Sequence, residues 1–397
     1  MPSETFAAPL YDSLAGEALE TLPDPVLLVE AGEAQDLAGR RIAFANAAAR
    51  ALLRIAREGA PLIGAIRRPE VLEAIDESLF GGVEATVAYE AVGAQDRFWR
   101  VFARPVPADN PAQRRALVVL RDETDARRNE RMRADFLANA SHELRTPLAA
   151  LAGFIETLRG PARGDAAAHD RFLAIMAEQA DRMARLIDDL LSLSRIELNE
   201  HIPPRGVCDL AFAVSEVADG IGPLAEAKGV ALDLRLAPPD AAVIVGDRDQ
   251  IVQVAQNLLA NALKYAPAGS TIVAEVRTGL NAHEAQATDP CSPRRRSEGG
   301  GRAPLLTPDR HDEATYAVLS VIDAGAGMKR EHLPRLSERF YRVEGQKSGD
   351  RAGTGLGLAI VKHIVNRHQG GLLVESAPGV GTEFRAYFPM PGEPGLS

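Results

Sequence analysis

Cysteine is scarce in this chain: two residues, Cys208 and Cys291, in 397. Thiols so few and so scattered exclude a disulfide framework and a cysteine-built zinc site, and they fit a reducing compartment. Long apolar runs are missing too. A membrane-spanning helix needs about 20 mostly apolar residues, and the best stretches, Pro25–Val29 and Ile42–Leu53, are short or broken by Asn46 and Arg50. No basic segment followed by an apolar core opens the chain, so the sequence predicts no signal peptide. Basic residues are outnumbered: 45 Lys and Arg against 55 Asp and Glu give a formal charge of −10, which argues against direct nucleic-acid binding. What is present is an ordinary globular composition, 46% hydrophobic. The length suits two to four domains of ~100–200 residues, and the chain is expected to be soluble and cytoplasmic.

Residues 1–20 read as a loose or helical lead-in. Leu22–Glu30 and Arg41–Ala45 read as strands, with Asn46 as the N-cap of a helix running to Leu53. Val83–Ala91, Phe98–Val106 and Ala116–Arg121 are apolar or alternating runs bounded by Gly, Pro or Asp, which predicts an antiparallel sheet. Helices set between a first pair and a last trio of strands, and the exit Asp122-Glu-Thr124, resemble a PAS sensor domain over residues 21–124. No Cys or His there points to a flavin or a haem. From Thr124 the pattern becomes densely charged helix, Asp125–Asp135, a solvated connector that can carry a rotation or a register shift onward.

The connector runs into Phe136–Leu148, where a His, a carboxylate and a hydroxyl fall within five positions: His142, Glu143 and Thr146. Leu137, Leu144, Leu148, Leu151, Ile155 and Leu158 follow the seam of a coiled coil or helical bundle. His142 and Glu143 lie off that seam, so the His should face water. Pro147 cannot donate to the carbonyl of Glu143, which weakens the helix beside the His. A zinc-protease helix is excluded, because position 146 is Thr where a second His is required. Taken alone, His142 reads better as a solvated surface residue, and what lies downstream weakens that reading. A turn at Gly160–Gly164 leads to a second helix, Asp165–Asn199, with Phe172, Met176, Met183, Leu186, Leu190 and Leu193 on its seam and Gln179 as the exception. Each seam is too narrow to bury within one hairpin. Two copies pairing into a four-helix bundle solve this, so a homodimer is predicted.

Pro203-Pro204 mark a linker. Beyond it, helices at Leu210–Ala227 (closed by Gly229) and Asp247–Ala266 alternate with strands at Val230–Leu236, Ala242–Val245, Thr271–Arg277 and Tyr316–Ile322. Gly279–Glu313 lacks periodicity and reads as a disordered insertion, with Arg294–Arg296 on a solvated loop. Three groups in this region carry chemistry. Asn257, Asn261 and Lys264, followed by Tyr265, share one helix face: amide oxygens suit Mg²⁺ and the ammonium suits phosphate. Such a face is also ordinary polar surface. Asp323, Gly325 and Gly327 close a strand: the carboxylate can accept from an exocyclic amine such as that of adenine, and the glycines admit a flat ligand. A tight Asp-Gly turn reads the same way. Gly353-Thr354-Gly355-Leu356-Gly357-Leu358 then opens a helix whose free N–H groups suit phosphate. The dinucleotide fingerprint fails, because its third glycine falls at Leu358, and no Gly-Lys-Ser/Thr closes a P-loop.

His142–Leu148 matches throughout the phospho-acceptor box of bacterial sensor histidine kinases, and the later boxes follow in the order and spacing of that family. Leu336–Arg342 resembles its Phe-rich box, and Gly345–Ala352, with Lys347, Ser348 and Asp350, has the composition of its mobile lid. The resemblance covers about residues 125–390. The PAS-to-His-box layout and the run from Leu186 to Glu197 resemble the phosphate-regulon sensor kinase type in particular. The family implies a multidomain α+β protein. Its parts are a PAS-like α/β sensor (21–124), a dimeric helical-hairpin phospho-acceptor domain forming a four-helix bundle (125–202), and an α/β-sandwich ATP-binding domain of the GHKL or Bergerat type (203–392). It departs at Ala324, where the family often has Asn, and in lacking a transmembrane region, which leaves association with a membrane complex at the inner face of the plasma membrane as the alternative to a free cytoplasmic state.

The resemblance implies ATP and Mg²⁺ as cofactors, with Asp323 reading adenine, Asn261 holding the metal, and Lys264, Arg342 and the Gly353–Gly357 turn taking phosphate. It implies phosphorylation of His142, Glu143 taking the imidazole proton, transfer to an Asp of a response regulator receiver domain, and a phosphatase step in which Thr146 positions water. Two rivals are a GHKL-type ATPase without autokinase activity and a sensor scaffold. The related ATPases carry a Glu where Asn257 stands, and an amide is no base at neutral pH, which favours a protein acceptor over water.

Overall fold

The computed structural model describes residues 14–36, 39–91, 97–108, 113–163, 165–287, 292–308, 314–343 and 353–391. The chain forms two compact units, Met1–Leu137 and Ala138–Ser397.

In the first unit a short helix α1 (Leu14–Glu20) precedes β1 (Val26–Ala31) and β2 (Arg41–Ala45). β1 begins at Val26 rather than Leu22, because Pro23 and Pro25 bring no N–H to a ladder. Then come α2 (Ala47–Leu53), α3 (Leu62–Ala65), α4 (Pro69–Asp76) and a π-helical turn, followed by β3 (Ala85–Ala91), β4 (Arg97–Val106) and β5 (Arg114–Asp122). The sheet is antiparallel with strand order β2-β1-β5-β4-β3, so helices do stand between a first pair and a last trio of strands. Asn46 is fully buried and is a joint as well as a cap. Its Oδ1 accepts from the N–H groups of Ala49 (2.9 Å) and Val26 (3.0 Å), and its Nδ2 donates to the carbonyl of Asp24 (2.9 Å). The exit Asp122-Glu-Thr124 ties the sheet to the next helix. Asp122 accepts from the backbone N–H of Thr124 (2.9 Å), and the Thr124 hydroxyl accepts from the N–H of Phe98 on β4 (3.0 Å).

That helix, α5 (Thr124–Arg159), leaves the first unit and forms the first arm of a hairpin; α6 (Ala166–Leu198) is the second, capped by Asp165. α5 passes through Pro147 without ending. Next to the bond that Pro147 cannot make, the Thr146 hydroxyl donates to the carbonyl of His142 (3.3 Å). On α5 the seam residues Leu148 and Ile155 stay exposed, as an unpaired seam requires, whereas on α6 the seam residues Leu186 and Leu193 are buried within the second unit.

The rest of the second unit is β6 (Val207–Asp209), α7 (Leu210–Lys228), β7 (Ala231–Arg235), β8 (Val243–Val245), α8 (Arg248–Tyr265), β9 (Thr271–Leu280), α9 (Ala282–Gln286), α10 (Pro293–Arg296), β10 (Gly301–Leu306), β11 (Tyr316–Asp323), a 3₁₀ turn, α11 (Gly357–Arg367), β12 (Gly371–Ala377) and β13 (Gly381–Pro389). Six strands form one sheet in the order β10-β12-β13-β11-β9-β7, antiparallel except for β7 beside β9. α8 packs between α7 and α11, burying Ile251, Val254, Leu258 and Leu259.

The disordered insertion expected over 279–313 is corrected where residues are described. β9 continues to Leu280, and α9 starts behind a capping box on Asn281 and Glu284. β10 pairs with β12 at the sheet edge. Ala285 is fully buried against Tyr316, Val318 and Tyr387. Arg294 is no solvated loop residue: it lies 3.7 Å from buried Glu383. These partners are distant in the chain, and local composition carries no trace of them. Residues 288–291, including Cys291, and 309–313 lie outside the described residues.

His368 makes the stability of the second unit depend on pH. It is buried, its Nε2 accepts from the N–H of Asp247 (3.0 Å) and its Nδ1 donates to the carbonyl of Ile364 (2.7 Å). Burial holds its pKa below the ordinary value, more than the Ile364 hydrogen bond and nearby Asp247 raise it. The unfolded chain therefore binds a proton that the folded one refuses. Stability is full above the unfolded pKa of ~6.5 and falls as pH drops toward the folded value. Urea unfolding at pH 7.5 and 5.5 should show this loss, and His368→Leu should flatten it.

Candidate active site

Asp247 caps α8 by accepting from the N–H groups of Asp249 (3.1 Å) and Gln250 (3.4 Å), which fixes where the helix starts and which face turns inward. That face lines a cavity of about 400 Å³ with Asn257, Asn261, Lys264 and Tyr265. Asp323, at the end of β11, lines it as well. It is 6% exposed, and it accepts from the N–H groups of Gly325 (2.7 Å) and Thr382. Burial pushes its carboxyl above the usual range, against the pull of those two hydrogen bonds. Gly327, Arg342, Gly353, Thr354, Gly355, Gly357 and Leu358 complete the set of expected residues that line the cavity.

Gly325 and Leu356 do not line it. A Cβ on Gly325 would lie 2.7 Å from Oδ1 of Asp323 and 2.9 Å from the Tyr265 carbonyl, so this glycine makes room for the Asp323 carboxylate and the end of α8. Leu356 is fully buried and caps α11. Gly355, at φ +77°, packs on the backbone of Phe340, whose N–H donates to the Gly355 carbonyl (2.9 Å); this joins the Phe-rich box to the glycine turn. A Cβ on Gly357 would lie 2.9 Å from Oδ1 of Asn257, so the bare α11 start sits against that amide. His142, Glu143 and Thr146 lie outside the cavity; His142 is exposed on α5. Gly345–Ala352 fall outside the described residues.

Gly327 has a protein neighbour as well. Its φ is +64°, and a Cβ there would lie 1.8 Å from the carbonyl oxygen of Ala377. Gly379, at φ +74°, has nothing within 4 Å. Gly327→Ala should destabilise this unit by more than about 3 kcal/mol, while Gly379→Ala should cost only the left-handed penalty of ~1–2 kcal/mol. Thermal and urea unfolding of the two variants separate clash from backbone strain.

Residues 132–199 match the His Kinase A (phospho-acceptor) domain model, and residues 246–392 match that of the histidine kinase-, DNA gyrase B-, and HSP90-like ATPases. The chain belongs to the bacterial sensor histidine kinases. The sensor kinase is 34% identical over 275 residues to the phosphate regulon sensor protein PhoR of Pseudomonas aeruginosa, an alignment covering 69% of this chain and 54% of PhoR. It is 30% identical over 282 residues to the sensor-like histidine kinase SenX3 of Mycolicibacterium smegmatis (71% of this chain, 64% of SenX3). The sensor histidine kinase WalK of Bacillus subtilis is 29% identical over 277 residues (70% and 40%). The sensor kinase thus spans between 40% and 64% of the length of these relatives. Among the described residues no helix is long and apolar enough to cross a membrane.

The second hairpin helix of this sensor kinase reaches the cavity, which local sequence reading missed. Arg182, Arg185, Asp188 and Asp189 line it. Asp189 accepts from the Thr354 hydroxyl (2.6 Å); burial pushes its carboxyl upward, against that bond. Further along α6, Gln253 donates to Ser192 (2.9 Å) and Arg339 lies 2.5 Å from Glu197; just past its end, Asn366 donates to Glu200 (2.6 Å). The available signal was periodic: 182, 185, 189, 192 and 196 step by three and four, a second face beside the expected seam. Tyr341, Thr382 and Phe384 were missed as well; the last two alternate along β13 beside Asp323.

Proposed function

We propose that this chain is an ATP-dependent protein histidine kinase that phosphorylates itself on His142 and passes the phosphoryl group to an Asp of a response regulator. The observation that carries the reading is one cavity holding two amides, an ammonium, a buried carboxylate and a glycine turn, in a chain whose exposed His lies on a paired helix. The family match supports ATP as the nucleotide.

Asp323 would accept the adenine amine, and Lys264, Arg342 and the N–H groups at the start of α11 would meet the phosphates. Among the described residues there is no group of three or more His, Cys, Asp or Glu fit for a metal. A cation at this site therefore rests on amide oxygens, phosphate oxygens and water, the donors Mg²⁺ takes with nucleotides. Asn261, with Asn257 beside it, would hold it; when bound, it neutralises phosphate charge. The His142 ring nitrogen forms a bond to the γ-phosphorus, the bridge to the β-phosphate breaks, and ADP leaves. Glu143 takes the displaced imidazole proton. Thr146, one turn on, would position water for the reverse, phosphatase step.

Exposed Leu148 and Ile155 on the α5 seam support a homodimer held as a four-helix bundle. The PAS-like unit would bias it through α5. The likeness to PhoR supports phosphate-regulon signalling. Incubating the purified chain with γ-labelled ATP and Mg²⁺ tests the reading: acid-labile, base-stable label that moves to a receiver domain is expected, and its absence would overturn it.

A further inference from the structure

Arg182 has two neighbourhoods. It lines the cavity from α6, on the same face as Arg185 and Asp189. Its Nη2 also lies 3.2 Å from Oε2 of Glu143, on the facing arm of the hairpin. The two side chains are 27% and 33% exposed, so water screens the pair only in part. Glu143 directly follows His142 and does not line the cavity. Arg182 therefore touches both the nucleotide cavity and the carboxylate beside the acceptor His. A guanidinium N–H pointed at a carboxylate is not available to a phosphate, so the two anions compete for it.

We propose that Arg182 is a positioning residue that passes from Glu143 to the phosphates of a nucleotide entering the cavity, so that filling the cavity releases Glu143 to take the His142 proton. Only the last clause rests on the phosphotransfer reading; the competition for Arg182 is a matter of binding. It gives nucleotide occupancy a direct physical route to the His box, across the two arms of the hairpin.

The test is a double-mutant cycle on the full chain, with ATP and adenosine affinities measured by calorimetry in Mg²⁺. Arg182→Gln should weaken ATP about fivefold, the size of a partly exposed charge pair, and leave adenosine unchanged. Glu143→Gln should tighten ATP about threefold by removing the competitor. In the Arg182→Gln background, Glu143→Gln should then do nothing. If Arg182→Gln loses the fold, Arg182→Met takes its place in the cycle, because it keeps much of the apolar stem and removes the charge the two anions compete for. Equal weakening of ATP and adenosine, or the same Glu143→Gln effect in both backgrounds, overturns the inference. Wild type that binds ATP without labelling removes the phosphotransfer reading and leaves the cycle decisive for Arg182. Wild type that binds no ATP overturns both.

Discussion

Replacing His142 with glutamine should abolish labelling of the chain by γ-labelled ATP and leave its ATP affinity within about twofold of wild type. The separation follows from geometry. His142 is exposed on α5 and lies outside the cavity, so no contact with the nucleotide walls is lost. Glutamine is a good helix former and matches an exposed position, so α5 should persist. What disappears is the nucleophile, and neither Glu143 nor Thr146 can replace an imidazole nitrogen there. Label should be scored after acid and base treatment, and affinity by displacement of a fluorescent ATP analogue. Label that survives the substitution would move the acceptor elsewhere. Affinity that collapses with the label would mean that His142 supports the nucleotide fold rather than receives its phosphate.

The helices of this protein are legible in its sequence because their signals are local. Asp247 and Asp209 cap α8 and α7, Gly229 closes α7 in the left-handed conformation, and Asp165 starts α6. The amides of α8 could be placed on one face from spacing alone, and the structure puts Asn257, Asn261 and Lys264 on one cavity wall. What was not legible is non-local. β10 carries arginine and proline and has no strand pattern; it is a strand because β12 offers it a ladder. Gly325 looked like an opening for a ligand, but the neighbours that need its missing Cβ are the Asp323 carboxylate and the Tyr265 carbonyl. Thr354 and Asp189 are far apart in the chain, and only the folded second unit brings them together.

α6 and the residues just past its end meet the ATP-binding part of the second unit through side-chain pairs. Thr354 with Asp189, Arg339 with Glu197 and Asn366 with Glu200 are polar and part-buried or exposed. Pairs of this kind contribute about 0–1 kcal/mol each. A seat built from them is one that a bound nucleotide can unlatch, and the proposed transfer to an exposed His outside the cavity requires such movement. Thr354 sits in both arrangements, bonded to Asp189 here and placed on the cavity wall where phosphate is expected. The residue that fastens the seat is therefore one that the nucleotide can claim.

Replacing Asp323 with asparagine should weaken ATP by roughly 10- to 100-fold, the loss of one hydrogen bond to a buried charge. The side chain is nearly isosteric, so the effect comes from donors and acceptors rather than volume. Both backbone N–H groups beside it, from Gly325 and Thr382, donate to the carboxylate. An asparagine offers one oxygen in place of two. If its oxygen stays with these N–H groups, its amide N–H faces the adenine amine, donor against donor. If it turns over, the N–H meets the backbone donors and leaves them unsatisfied in a buried wall. Guanine carries a carbonyl where adenine carries the amine, so the first arrangement should accept it. ATP should weaken much more than GTP, and the ratio of their affinities should fall toward one. Competition of both nucleotides against a fluorescent ATP analogue measures this, with urea unfolding as the control for the fold. ATP and GTP weakened by the same factor would mean that Asp323 shapes the wall without reading the base.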